Sequence, residues 1–186
     1  MLKYALGRIS VEVPKNAKIL DVGCGTGMSS LPLVKRFPEA DVTGVDFSES
    51  MIKEYISNFP NAKAVIGDFN DDKTLRLYPL GESIAFPDSY FDIVISSGAL
   101  SEYGNLKKAM PFIYSKIKKS GVLINVGIND GSLNKITGFF WKYSATGKKK
   151  LFEACKGQGF GDIEYFKIPL RFFPNNYRYY IIKATK

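Results

Sequence analysis

The chain has 186 residues, enough for one domain with a full core. Apolar residues make up 45% and charged residues 24%, values of an ordinary globular protein, which excludes disorder over most of the chain. The net charge of +8 is uneven: residues 1–106 carry −4 and residues 107–186 carry +12, which excludes a uniformly basic nucleic-acid coat.

Three further exclusions follow. No apolar run approaches the ~20 residues that cross a bilayer. The start, MLKYALGRISVEVP, lacks the apolar stretch of a secretory signal. Cys24 and Cys155 lie far apart and form no CxxC pair, so neither a disulfide framework nor a cysteine metal site is expected. The expected compartment is the cytoplasm. There is no histidine, which removes the commonest general base and every Ser-His or Cys-His nucleophile pair.

In chain order, short β-branched runs alternate with amphipathic stretches, the pattern of βαβ units and a parallel sheet. Strands are predicted at Lys18–Val22, Asp41–Asp46, Ala62–Gly67, Phe91–Ser96 and Gly121–Gly127. Helices are predicted at Met28–Phe37, at Glu49–Asn58 behind the N-cap Ser48, and at Leu106–Lys118. Pro111 marks a kink or a later start in the last of these. Lys148–Lys156 reads as a helix that Gly157–Gly161 breaks. Asp162–Leu170 and Arg178–Thr185 then read as an antiparallel pair with a turn at Pro174-Asn175-Asn176. One domain over residues 1–186 is expected.

The glycine loop carries the first chemical signal. Ile19-Leu20-Asp21-Val22-Gly23-Cys24-Gly25-Thr26-Gly27 ends a strand and opens a helix. Its spacing is G-x-G-x-G, not the G-x-G-x-x-G of dinucleotide sites. Asp21 at the strand end disfavours a pyrophosphate and suits a cationic amine. Asp46 ends the next strand, where an acid can hold both hydroxyls of a ribose. Asp68 ends the third and could accept from an adenine amine. A bare glycine turn, a helix-capping acid and a solvated loop acid are the respective bland alternatives.

Together the three strand ends suit one ligand with an amine, a ribose and an adenine. At these residues the chain resembles a class I S-adenosylmethionine-dependent methyltransferase of the type 11-like subgroup. ILDVGCGTG resembles the first family motif, VTGVDFSESMI the ribose segment, IAFPDSYFDIVISSGAL the fourth-strand segment and IKKSGVLINV the fifth-strand entry. The resemblance runs from about Lys18 to Val126.

It implies a Rossmann-like α/β fold: a seven-stranded, mostly parallel sheet with an antiparallel last strand and helices on both faces. It also implies S-adenosyl-L-methionine as cofactor and S-adenosyl-L-homocysteine as product. Gly23, Cys24, Gly25 and Gly27 would surround the methionine part, with Asp21 near its amine and Ser97 near the methionyl end. Asp46 would bind the ribose, Phe47 and Met51 would pack on the adenine, and Asp68 and Phe69 would lie at its edge.

Departures from the family pattern bear on the acceptor. Ser96-Ser97-Gly98-Ala99 replaces the Asn/Asp-Pro-Pro-aromatic segment of enzymes that methylate base amines and glutamine amides. Ser101-Glu102-Tyr103 stands where many relatives carry a His pair. Glu102 and Tyr103 are the nearest catalytic guesses, with a helix-start acid and a packed aromatic as the alternatives. A carboxylate, thiolate or free amine acceptor would need no base, whereas a hydroxyl or ammonium would.

Residues 1–17 form a short N-terminal segment in which Tyr4 and Arg8 could cover the site. The insertion Asn70–Leu80, with Arg76 and Tyr78, could rim the pocket or be a plain surface loop. Residues 129–147 hold Phe139, Phe140, Trp141 and Tyr143 among lysines, either a lid over the acceptor or core packing. A small-molecule acceptor, anionic or partly apolar, is the expected substrate, with no metal. RNA or protein reached through the basic half is the alternative acceptor. A non-catalytic cofactor-binding protein is the alternative class.

Overall fold

The computed structural model describes residues 7, 9–28, 30–102, 105–128, 146–170 and 179–186. Strand β1 (Lys18–Val22) is followed by helix α1 (Ser30–Arg36), β2 (Asp41–Asp46), α2 (Glu49–Asn58) and β3 (Lys63–Ile66). A 3-10 turn at Asp72–Thr74 leads into β4 (Arg76–Tyr78). Then come β5 (Phe91–Ser97), α3 (Ala99–Glu102), α4 (Leu106–Lys116), β6 (Ile117–Ile128), α5 (Lys148–Gln158), β7 (Ile163–Phe166) and β8 (Tyr179–Thr185).

The sheet order is β4-β3-β2-β1-β5-β6-β8-β7. Strands β1, β2, β3, β5 and β6 run parallel, and the runs of consecutive buried residues along them reflect a sheet covered on both faces. One layer of core joins Ile19, Ile93, Ile95 and Ile124 to Leu33 of α1. The opposite layer joins Leu20, Val94 and Leu123 to Met110 and Ile113 of α4 and Leu151 of α5. Helix α2 lies on the α1 side, with Ile52 and Tyr55 packed on Cys24 and Ala64. The parallel sheet with helices on both faces is thus as the sequence predicts.

Three details differ. The sheet has eight strands among the described residues, not seven, because part of the Asn70–Leu80 insertion pairs antiparallel with β3. Leu75 anchors that excursion in the core at 0% exposure. The antiparallel last strand is not at the sheet edge; β8 inserts between β6 and β7 and pairs with both. Pro111 does not split its helix: α4 runs unbroken from the N-cap Asn105, whose side chain accepts from the Lys107 amide. The Pro174-Asn175-Asn176 turn lies outside the described residues.

Asp41, at the start of β2, takes hydrogen bonds from Lys18 of β1 at 2.8 Å and Lys63 of β3 at 3.1 Å. Partial burial pulls its carboxyl up, but the two lysines outweigh that and hold it below its usual value. A carboxylate with a depressed native pKa stabilises the fold above its unfolded value, near pH 4, and the gain disappears as pH falls through the native value. Asp41→Asn should therefore lower the melting temperature by about 1–3 °C at pH 7. The difference between the two proteins in thermal unfolding should shrink progressively as pH falls below about 4 and disappear once the native carboxyl is protonated.

Candidate functional site

The carboxyl ends of β1, β2, β3 and β5 open onto one cleft of about 680 Å³. Its described lining includes Gly23, Gly25, Asp46, Phe47, Met51, Asp68, Phe69 and Ser97, residues that the motifs single out across 75 positions of sequence. Parallel β-α connections place all these strand ends on one side, where ligands of open α/β sheets bind. Asn70, Ser48, Gly98 and Ala99 complete the lining.

The glycine loop is built to face an electron-poor ligand. The amides of Gly23 and Cys24 both donate to the Val45 carbonyl, at 2.8 and 3.0 Å. The Gly27 amide donates to the Cys24 carbonyl at 2.9 Å. The Gly25 amide donates to Oδ2 of Asp46 at 2.9 Å. These donors are spent inside the protein, unlike those of a phosphate loop, which aim at the ligand. Gly25 has φ +53°, and a side chain there would meet no atom within 4 Å, so the space above it belongs to the cleft. Gly23 has φ +66° and lies so close to Ala99 that a Cβ would collide with it. The loop backbone at Gly23 thus packs directly on the Ala99 methyl group at the start of α3.

Asp46 is 8% exposed, and its other oxygen accepts from the Ser48 amide at 2.9 Å. Each carboxylate oxygen keeps a further lone pair, so the group can still accept from a ligand hydroxyl. Phe47 is 69% exposed and Met51 42%, large apolar faces that stand open to the cleft. Phe69 is buried but reaches the cleft wall. Ser97 lines the wall, while its neighbour Ser96 is fully buried and accepts from the Leu100 amide at 3.2 Å, capping α3.

Other expected site residues sit differently. Asp21, Cys24 and Gly27 are not part of the described lining. Asp21 is fully buried beneath the loop. The Cys24 thiol packs inward on Tyr55 and Ile52, not toward the cleft. Burial first, then the charges of Asp21 and Asp46, push that thiol far above its usual value. Arg76 bonds the carbonyls of Lys73 and Leu75, and neither it nor Tyr78 lines the cleft. Glu102 ends α3, but its side chain lies outside the description, as do Tyr4, Arg8, Tyr103, Phe139, Phe140, Trp141 and Tyr143. The sequence reading gives Asn70 no role of its own. Its position in the cleft depends on a hydrogen bond from the distant Asn105 amide at 3.1 Å.

An α/β sheet, of eight strands among the described residues, with an acid-rimmed, apolar-walled cleft at its carboxyl edge defines a nucleoside-binding transferase fold. A family model described as "Methyltransferase domain" matches residues 14–155, and the chain belongs to the class I S-adenosylmethionine-dependent methyltransferase family. It is 29% identical over 126 residues to a malonyl-[acyl-carrier protein] O-methyltransferase of Bacillus cytotoxicus, covering 67% of this chain and 40% of that protein. It is 28% identical over 113 residues to a trans-aconitate 2-methyltransferase of Variovorax paradoxus, covering 61% of this chain and 39% of that protein. The chain therefore spans about two fifths of these curated relatives. The fold superposes on a phosphoethanolamine N-methyltransferase 2 of Haemonchus contortus in complex with S-adenosyl-L-methionine, with TM-score 0.76 and 18% identity, covering 99% of this chain and 52% of that one.

The thiols supply a test of the loop's orientation. Cys155 is buried too, and burial pushes it up to about 12. Neither cysteine should react with N-ethylmaleimide in the folded protein at pH 8, and both should react in denaturant. Mass spectrometry that finds native Cys24 modified at the rate of a free thiol would contradict the inward packing.

Proposed function

We propose that this protein transfers the methyl group of S-adenosyl-L-methionine to a small, anionic acceptor. The observation that carries the cofactor assignment in this proposal is the cleft's chemistry: acceptor oxygens of Asp46 and Asp68 and open apolar faces of Phe47 and Met51, with the glycine-loop donors turned inward. An anionic phosphate ligand would meet repulsion there, whereas a sulfonium nucleoside finds acceptors for its hydroxyls and amines.

In this reading Asp46, held by two backbone amides, accepts from the ribose hydroxyls. Phe47 and Met51 cover the faces of the adenine, and Asp68 and Phe69 lie at its edge. Gly25 leaves room for the methionine part, and Ser97 borders it. The cofactor supplies an electrophilic sulfonium methyl group. The protein's share is then to hold the acceptor atom in line with that carbon and to keep water out. A carboxylate acceptor is already nucleophilic and needs no proton removed, which suits a chain without histidine.

Two further observations support an anionic acceptor. The two relatives cited are named for a malonyl group and for trans-aconitate, both carboxylate-bearing. In addition, Tyr180 of β8 sits opposite Gly127, near the carboxyl end of β6, and its hydroxyl donates to the Thr146 carbonyl at 2.9 Å. That bond holds the start of α5, with exposed Lys149 and Lys150, at the cleft end of the sheet. The separate, buried thiols of Cys24 and Cys155 fit a cytoplasmic protein.

Incubation of the protein with methyl-labelled S-adenosylmethionine and a cell extract, followed by size fractionation, tests the proposal. Label is expected among small acidic metabolites, and a carboxylate acceptor predicts a rate that is flat from about pH 6 to 8. Label confined to RNA or protein would overturn the small-molecule assignment. No transfer in any fraction, with the cofactor bound, would favour a non-catalytic cofactor-binding protein.

A further inference from the structure

Outside the motifs, one small polar network touches the cleft. Asn70 belongs to the insertion after β3 and lines the cleft beside Asp68. Its backbone amide donates to Oδ1 of Asp68 at 2.8 Å, and its side-chain amide nitrogen donates to the same oxygen at 2.7 Å. Its own Oδ1 accepts from the backbone amide of Asn105 at 3.1 Å. A backbone amide can only donate, so this bond fixes which end of the Asn70 side chain faces which partner. Asn105 is the N-cap of α4, and α4 is anchored in the core through Ala109, Met110 and Ile113. The amide that holds Asn70 is therefore a rigid reference point.

The consequence falls on Asp68. Two donors occupy the lone pairs of Oδ1. Among the described residues Oδ2 receives no hydrogen bond. One oxygen is locked, and the other is left as a pure acceptor on the cleft rim.

We infer that Asn70 is a positioning residue that makes Asp68 selective for an amine-bearing base. The inference rests on the proposed adenine-edge role of Asp68 and adds what orients that carboxylate. An adenine amine donates to Oδ2. A base with a carbonyl at the same position presents lone pairs to lone pairs and is rejected. Asn70→Ala keeps the backbone donor but removes the side-chain one, so the solvent-exposed carboxylate of Asp68 is held by one bond instead of two and the ligand must supply more of its ordering. Replacing Asn70 by Asp would instead set two carboxylates side by side and remove the side-chain donor.

Calorimetry with two stable ligands tests this: S-adenosylhomocysteine and S-inosylhomocysteine, in which a carbonyl replaces the adenine amine. The native protein is expected to prefer the adenosyl ligand, and Asp68→Ala to lose that preference. Asn70→Ala should weaken the adenosyl ligand by about three- to tenfold and leave the inosyl ligand unchanged. Asn70→Asp should weaken it at least as much. Unchanged inosyl affinity serves as the internal measure of folding. If Asp68→Ala loses the preference while Asn70→Ala retains it in full, the positioning role is overturned and the adenine-edge assignment stands. If Asp68→Ala keeps the preference, both are overturned. Equal weakening of the two ligands by Asn70→Ala would also overturn the inference, because it marks a general loss of cleft structure.

Discussion

The carboxylate of Asp46 is the constraint on which the site depends. One oxygen takes the Gly25 amide and the other the Ser48 amide, each at 2.9 Å. The first bond pins the glycine loop over the end of β2. The second sets the turn into α2, whose N-cap is Ser48 itself. A single buried acid thus fixes the loop, the helix that presents Met51, and the acceptor oxygens that face the cleft. Hydrogen bonds to an ionised group of this kind are the stronger sort, about 1.5–3 kcal/mol each.

The electrostatics of the molecule follow from how its halves meet. The basic excess of residues 107–186 is partly paired with acids among the described residues. Lys116 bonds Asp88 at 2.6 Å, and Lys118 bonds Asp92 at 2.9 Å, so part of that excess is matched by acids from the first half. Lys183 is matched within its own hairpin by Glu164. Among the described residues, the start of α5 carries exposed lysines near the carboxyl edge. The net charge is therefore partly paired locally, and the exposed lysines at the start of α5 are one of the cationic features that lie outside these ion pairs.

The sequence made the site legible where chemistry and local pattern coincide. Lys18–Val22 and Asp41–Asp46 are readable to the residue because each is a short run with β-branched residues bounded by turn-forming or polar neighbours. Asp46, Asp68 and Ser97 are readable as strand ends. Orientation is not encoded in this way. Cys24 lies in the loop as expected, but the positive φ angles of Gly23 and Gly25 turn its thiol into the core. The three residues of β4 carry no period long enough to distinguish a strand from a loop. The insertion of β8 between β6 and β7 is a choice of neighbour, and strand order is not written in any local segment. Asn70 stayed hidden for the same reason, since its anchor is 35 positions away.

The most direct test is isothermal titration of S-adenosylmethionine into the native protein and into Asp46→Ala. Binding well tighter than millimolar to the native protein, weakened by about 100-fold in the variant, is expected from the loss of a charged acceptor that also pins the loop. No measurable binding to the native protein, or equal affinity in the two proteins, would contradict the assignment of this cleft.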